Sequence, residues 1–164
     1  LTQYQGTAKA DTVMWPHRYN DDKQPDIAEK LSSDFDMVIT QKMNLNKADY
    51  YATMGTSKAI FSCALHENLG ISVMEAVLTG AIPIVPDRCS YAEMYLPEFK
   101  YPSEWTENYE QFIYHRDDMV KFINTRLVYN FADYQDLIKQ QQQILIKDYL
   151  SSSIMINNLL KKGT

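Results

Sequence analysis

The sequence predicts an α/β protein, a Rossmann-like parallel sheet flanked by helices and followed by a helical C-terminal tail. Three observations predict it. Strand-like runs alternate with helix-like runs of about ten residues, the pattern of βαβ units. The strand-like runs are apolar through their middles, as strands covered on both faces are. The residues best suited to binding fall just after those runs, where open parallel sheets hold their ligands.

"DTVMWP" (11–16) is rich in strand formers and stops at Pro16. The polar turn "HRYNDDKQPD" leads into an amphipathic helix near Asp26–Ser33, with Ile27, Ala28 and Leu31 on one face. "FDMVIT" (35–40) reads as the second strand. "KADYYATMG" (47–55) reads as a helix with Gly55 just past its end. "KAIFSCA" (58–64) is the third strand; a helix then runs to Thr79 and stops at Gly80. "AIPIVP" (81–86) is the fourth strand, and "SYAEMY" (90–95) a short helix capped by Ser90. A loop at 97–105 and two or three helices complete the chain. The last helix is expected over 132–160, with "KQQQQ" as a polar face and a serine triplet inside it.

With 164 residues the chain can bury one real core, and 45% hydrophobic with 23% charged residues is ordinary for a soluble domain. No apolar run nears the ~20 residues of a membrane helix. A net charge of −5 argues against a strong phosphate-backbone footprint, though a local basic pocket fits within it. Cys63 and Cys89 have no metal-ligand spacing and read as buried thiols of a reducing compartment, hence a cytoplasmic protein. No secretory leader is evident, and opening on Leu1 is expected of a fragment or a processed product.

The stretch "HENLGISVMEA" (66–76) holds two glutamates around an Asn-Leu-Gly turn. Gly70 permits the tight turn and lets a ligand approach the first amides of the next helix, which lack intrahelical partners and sit at its positive end. A phosphate or diphosphate is the natural guest. Glu67 then lies near whatever hangs from the distal phosphate, and Glu75 stands about 12 Å away at helical rise. A carboxylate accepts two hydrogen bonds from a vicinal diol, so Glu75 suits ribose and Glu67 a sugar.

Glu67-x7-Glu75 with Gly70, followed by "AVLTGAIPIVPD", resembles the donor-binding C-terminal half of retaining GT-B glycosyltransferases of the family 4 type. "MWPHRYNDDKQPD", "HENLGISVMEAV", "PDRCSYAEMYLPEFKY" and the Tyr50–Tyr51 pair are similar to the glycosyltransferase-like group that includes tRNA-queuosine mannosyltransferases. The resemblance covers roughly 11–101, the Rossmann-like core, and leaves 105–164 as the helical tail. Family members commonly carry Asn where Pro16 stands.

The resemblance implies retaining, metal-independent transfer of a hexose from a nucleotide-diphosphate-sugar, GDP-mannose or UDP-glucose, with no further cofactor. Glu67, Arg18 and Lys23 are the catalytic candidates; Glu75, Gly70, Ile71, Leu69, His66 and His17 are the donor-binding ones. No metal ligand is assigned, because no Asp-x-Asp stands at a strand end: Asp34 and Asp36 flank the start of a strand. Arg18, Lys23 and the helix amides would offset the charge of the leaving diphosphate instead. Residues 40–44 are placed near the base. The partner expected is an N-terminal acceptor domain outside this chain, with tRNA, polysaccharide, lipid and DNA all open as acceptors. A non-catalytic nucleotide-sugar-binding or assembly subunit, or another sugar-phosphate enzyme on the same scaffold, are the alternative readings. For single residues the plain readings are surface ion pairs for Arg18 and Lys23, packing for His17 and His66, and loop anchoring for Arg88 and Glu93. Tyr91 is a further pocket candidate.

Overall fold

The computed structural model describes residues 2–128 and 131–150. Five strands form one parallel sheet: β1 (Ala10–Trp15), β2 (Asp36–Ile39), β3 (Ser57–Phe61), β4 (Ile82–Pro86) and β5 (Lys100–Tyr101), in the order β2-β1-β3-β4-β5. The chain leaves β1 outward to β2, then returns to the other side of β1 to lay down β3. The order therefore reverses between β1 and β3, and the loops leaving their carboxyl ends diverge there and open a crevice.

Alternation along β1 shows how the sheet is covered. Val13 and Trp15 join a core with Ile27, Ala28 and Leu31 of α1 (Pro25–Leu31), Phe112 of α5 (Tyr109–Tyr114), and Met119, Ile123 and Leu127 of α6 (Arg116–Val128). Met14 faces the other side, with Met54 of α2 (Lys47–Thr56), Val73, Met74, Ala76 and Val77 of α3 (Ile71–Leu78), and Tyr91 and Met94 of α4 (Cys89–Met94). Each face of a parallel strand thus meets helices, which is why β3 and β4 are apolar without alternation. Among the described residues no helix is long and apolar enough to cross a membrane.

Several local expectations are corrected. Gly55 lies inside α2, not past its end; an added Cβ there would stand 2.9 Å from the Cβ of Tyr4, so packing sets this glycine. The cap of α4 is Arg88 rather than Ser90, with Cys89 at φ +50 as the first helical residue. Cys89 is exposed, whereas Cys63 is buried. The loop at 97–105 contains β5, two residues long and set between Pro97 and Pro102, too short to show a period. The tail resolves into α5, α6, α7 (Phe131–Ile144) and a π-helical turn over Leu145–Leu150; the serine triplet and the rest of the expected helix lie outside the described residues.

The glutamine tract is more than a polar face. Gln141 is fully buried: its amide donates to Met94 O at 2.8 Å and accepts from Leu96 N at 2.8 Å, while Gln142 donates to Val77 O at 2.7 Å. Two adjacent glutamines so bind the C-terminal turns of α3 and α4, the Val77 carbonyl accepting from Gly80 N as well. Gln141→Ala leaves a buried carbonyl and a half-buried amide unpaired, and should lower the urea-unfolding free energy by roughly 2–3 kcal/mol.

Candidate functional site

The crevice at the β1/β3 reversal is a cleft of about 520 Å³. One wall is the loop after β1, with Pro16, His17, Arg18, Asn20, Asp22 and Lys23; the other is the turn into α3, from Glu67 to Val73. A 3-10 turn over Asp21–Lys23 brings Lys23 across the crevice, and Gln24 ends it in a left-handed conformation at φ +52. The buried Gln24 amide donates to Cys63 O and Thr106 O at 2.6 and 2.7 Å, so the Lys23 loop is tied to the end of β3.

Lys23 meets Glu67 there. Its ammonium lies 3.3 Å from Glu67 Oε2 and 3.1 Å from Asp22, and donates to His66 O at 2.5 Å. The other Glu67 oxygen, Oε1, accepts from Gly70 N at 3.0 Å. Burial by itself would raise the Glu67 pKa, but the Gly70 amide and Lys23 outweigh it and hold the carboxyl below its ordinary value. Glu67 is therefore a fixed anion facing the cleft.

Gly70 begins α3 in a left-handed conformation at φ +66. Its carbonyl accepts from Val73 N and Met74 N, leaving the Ile71 and Ser72 amides without intrahelical partners at the positive helix end. The close approach that demands glycine comes from beneath: an added Cβ would stand 2.7 Å from Cε1 of the fully buried Tyr91. Tyr91 is thus the floor under the turn, outside the cleft lining. Leu69 and Ile71 flank the turn as exposed side chains, Ile71 at 61%.

The remaining sequence candidates divide. Arg18 lines the mouth, exposed and without an ion pair among the described residues. His17 is buried at the back, its Nε2 2.8 Å from Ser62 Oγ. The side chain of His66 is exposed and off the lining; its carbonyl is what meets Lys23. Glu75 is also off the lining, half-buried on α3, where it accepts from Tyr51 OH at 2.9 Å. Beyond Pro16 lies a smaller pocket of about 200 Å³, lined by Thr40, Gln41, Asn44, Leu45 and Tyr50. Arg88 anchors its loop: it donates to Ala64 O at 3.0 Å, to Cys63 O and Ser103 O, and to both Thr106 oxygens. Asp34 is held by Arg116 at 2.6 Å, away from the cleft.

Ser62 and Thr106 had no signal in the sequence and Gln24 almost none, since each acts through a tertiary contact. The one hint for Gln24 was its place before Pro25, where the backbone must turn to start a helix.

Burial pushes the His17 pKa down to about 4; Lys23 adds to this, and Glu67 and Asp22 oppose it. The unfolded chain, titrating near 6.5, binds more protons than the folded one between these values. The stability from neutral His17 is full above 6.5 and lost as pH falls toward about 4; Glu67 adds loss only below its ordinary 4.5. Thermal unfolding should show a loss of about 2 kcal/mol between pH 7 and pH 5 that His17→Gln lacks. Gly70→Ala, strained in φ and in space, should cost roughly 2–4 kcal/mol in the same assay at pH 7.

No protein-family model matches the chain. The tRNA-queuosine alpha-mannosyltransferase of Drosophila melanogaster is 24% identical over 119 residues, covering 54% of this chain and 32% of that protein. A crystal structure of a mutant S. aureus TarM, in complex with Fondaparinux, alpha-GlcNAc-glycerol and UDP, superposes with a TM-score of 0.67 at 14% identity, over 95% of this chain and 36% of that one. The chain spans about a third of the length of each. It has the α/β, Rossmann-like fold found in GT-B glycosyltransferases.

Proposed function

We propose that this chain is the donor-binding part of a retaining, metal-independent glycosyltransferase. One observation carries the reading: Arg18, Lys23, Glu67 and the free amides of Ile71 and Ser72 share one cleft at the reversal of the sheet. The likeness to the Drosophila mannosyltransferase and the shared fold with TarM support it.

The diphosphate of a nucleotide-sugar sits over the α3 amides with Arg18 across from it. The base takes the smaller pocket beyond Pro16, next to Thr40 and Asn44. Glu75, off the cleft lining and bonded to Tyr51, takes the ribose diol in this reading only by turning from Tyr51 toward the cleft. The transferred hexose lies against Glu67, whose two oxygens are already oriented by Gly70 and Lys23. As the bond from the anomeric carbon to the diphosphate oxygen lengthens, Arg18, Lys23 and the amides stabilise the charge developing on the leaving group. In this reading a second domain holds the acceptor on the open side of the cleft.

The likeness to a protein named as a mannosyltransferase supports GDP-mannose as the donor, and the UDP in the TarM structure supports a uridine nucleotide-sugar, with UDP-glucose as the competitor. Calorimetric titration with GDP, UDP, GDP-mannose and UDP-glucose in EDTA should show one base preferred. Arg18→Ala and Glu75→Ala should each weaken that binding about tenfold, the loss of one charge-assisted contact. A folded protein that binds none of the four, or binds equally after both substitutions, would sink the reading.

A further inference from the structure

Behind the cleft, His17, Ser62 and Tyr91 form a buried hydrogen-bonded chain whose proton directions are fixed by counting donors and acceptors. Ser62 is fully buried at the end of β3, and its Oγ has three neighbours: Tyr91 OH at 3.2 Å, Ala64 N at 3.4 Å and His17 Nε2 at 2.8 Å. A serine hydroxyl accepts twice and donates once. Ala64 N–H can only donate. Tyr91 OH is buried with no other hydrogen-bond partner among the described residues, so its proton must go to Ser62 or stay orphaned at a desolvation cost. Those two bonds fill the accepting capacity of Ser62 Oγ, and its own proton is left for His17 Nε2.

We infer that Ser62 and Tyr91 are positioning residues that hold His17 as the neutral Nδ1–H tautomer, presenting a ring N–H donor to an oxygen of the ligand in the cleft. Nε2 must be the bare, accepting nitrogen. Nδ1 has no protein partner among the described residues and keeps solvent contact where His17 lines the cleft. A donor there suits a phosphate or sugar oxygen and rejects a group that only donates. The charged groups around the ring agree: Lys23 disfavours a second positive charge, while Glu67 and Asp22 do not overcome burial. The Trp15 ring closes the other side at 5.4 Å, edge-on. The tautomer stands on the protein geometry alone; the identity of the oxygen rests on the proposed donor site.

The test is the long-range ¹H–¹⁵N spectrum of the ¹⁵N-histidine-labelled chain at pH 7.5, with His17 assigned by His17→Gln. Nε2 should resonate in the unprotonated range and Nδ1 in the protonated range. Ser62→Ala removes the hydroxyl donor and should move the tautomer ratio roughly fivefold or more toward Nε2–H. Tyr91→Phe frees one accepting site on Ser62 and should move it the same way by less, while the fold persists by circular dichroism. Adding GDP or UDP, whichever the titration selects, should then shift Nδ1 and leave Nε2 in place. A wild-type spectrum with Nε2 protonated, or one indifferent to Ser62→Ala, would overturn the inference without touching nucleotide binding. Loss of nucleotide binding with the tautomer intact would instead overturn the donor-site reading and the ligand part of the inference.

Discussion

The structure depends on how the chain leaves β3. Past Phe61 the backbone departs from the sheet while still buried, and the carbonyls of Ser62, Cys63 and Ala64 need partners no strand supplies. Side chains from three distant segments provide them: Tyr101 for Ser62, Gln24 and Arg88 for Cys63, Arg88 again for Ala64. Each carbonyl left unpaired would cost about 1–3 kcal/mol, so these contacts are obligatory. They also set the cleft. Gln24 follows Lys23, Arg88 caps the helix that carries Tyr91, and Tyr101 is half of β5, so satisfying one short stretch places both walls and the floor.

The electrostatics of the cleft follow from that placement. The chain is acidic overall, and Lys23 is already occupied by Asp22, Glu67 and the His66 carbonyl. Among the described residues Arg18 has no ion pair, so an anion entering the cleft meets Arg18 and the first amides of α3 first, with Lys23 shared between the anion and the partners it already has. Glu67 is held ionised in the same cleft, so the site has a positive lip and a negative inner edge. Such a dipolar arrangement fits a molecule with an anionic middle and a hydroxyl-rich end. A bare phosphate would use half of it.

Much of this was legible in the sequence, for reasons that are themselves physical. The four longer strands and their helices declare themselves by apolar runs and by breaks at Pro16, Gly70 and Gly80. The rule that parallel sheets bind ligands beyond the carboxyl ends of their strands then singles out residues 17–23, 66–70 and 87–93, of which the first two segments line the cleft and the third does not. What the sequence hid was direction. Glu75 and His66 lie close to the cleft in sequence, yet Glu75 turns toward Tyr51 and His66 turns to solvent. Helical rise fixes distance along the axis; facing depends on packing that a one-dimensional pattern does not contain. Gln141 was hidden for the converse reason: a glutamine in a polar tract looks solvated until a helix end without partners is found above it.

Gly70 and Tyr91 show how tightly residues far apart in sequence can be specified by one constraint. The turn into α3 needs a left-handed residue, which favours glycine, and the ring beneath it then excludes every other side chain. That ring cannot shrink freely either. Its hydroxyl supplies one of the two protons Ser62 accepts, and Ser62 in turn determines which nitrogen of His17 is bare. Changing the turn would push on Tyr91, and changing Tyr91 would release the hydroxyl that orients the histidine. The backbone amides on one side of the cleft and the imidazole on the other are thus coupled through the floor, so the geometry offered to a ligand is that of the whole crevice rather than of separable residues.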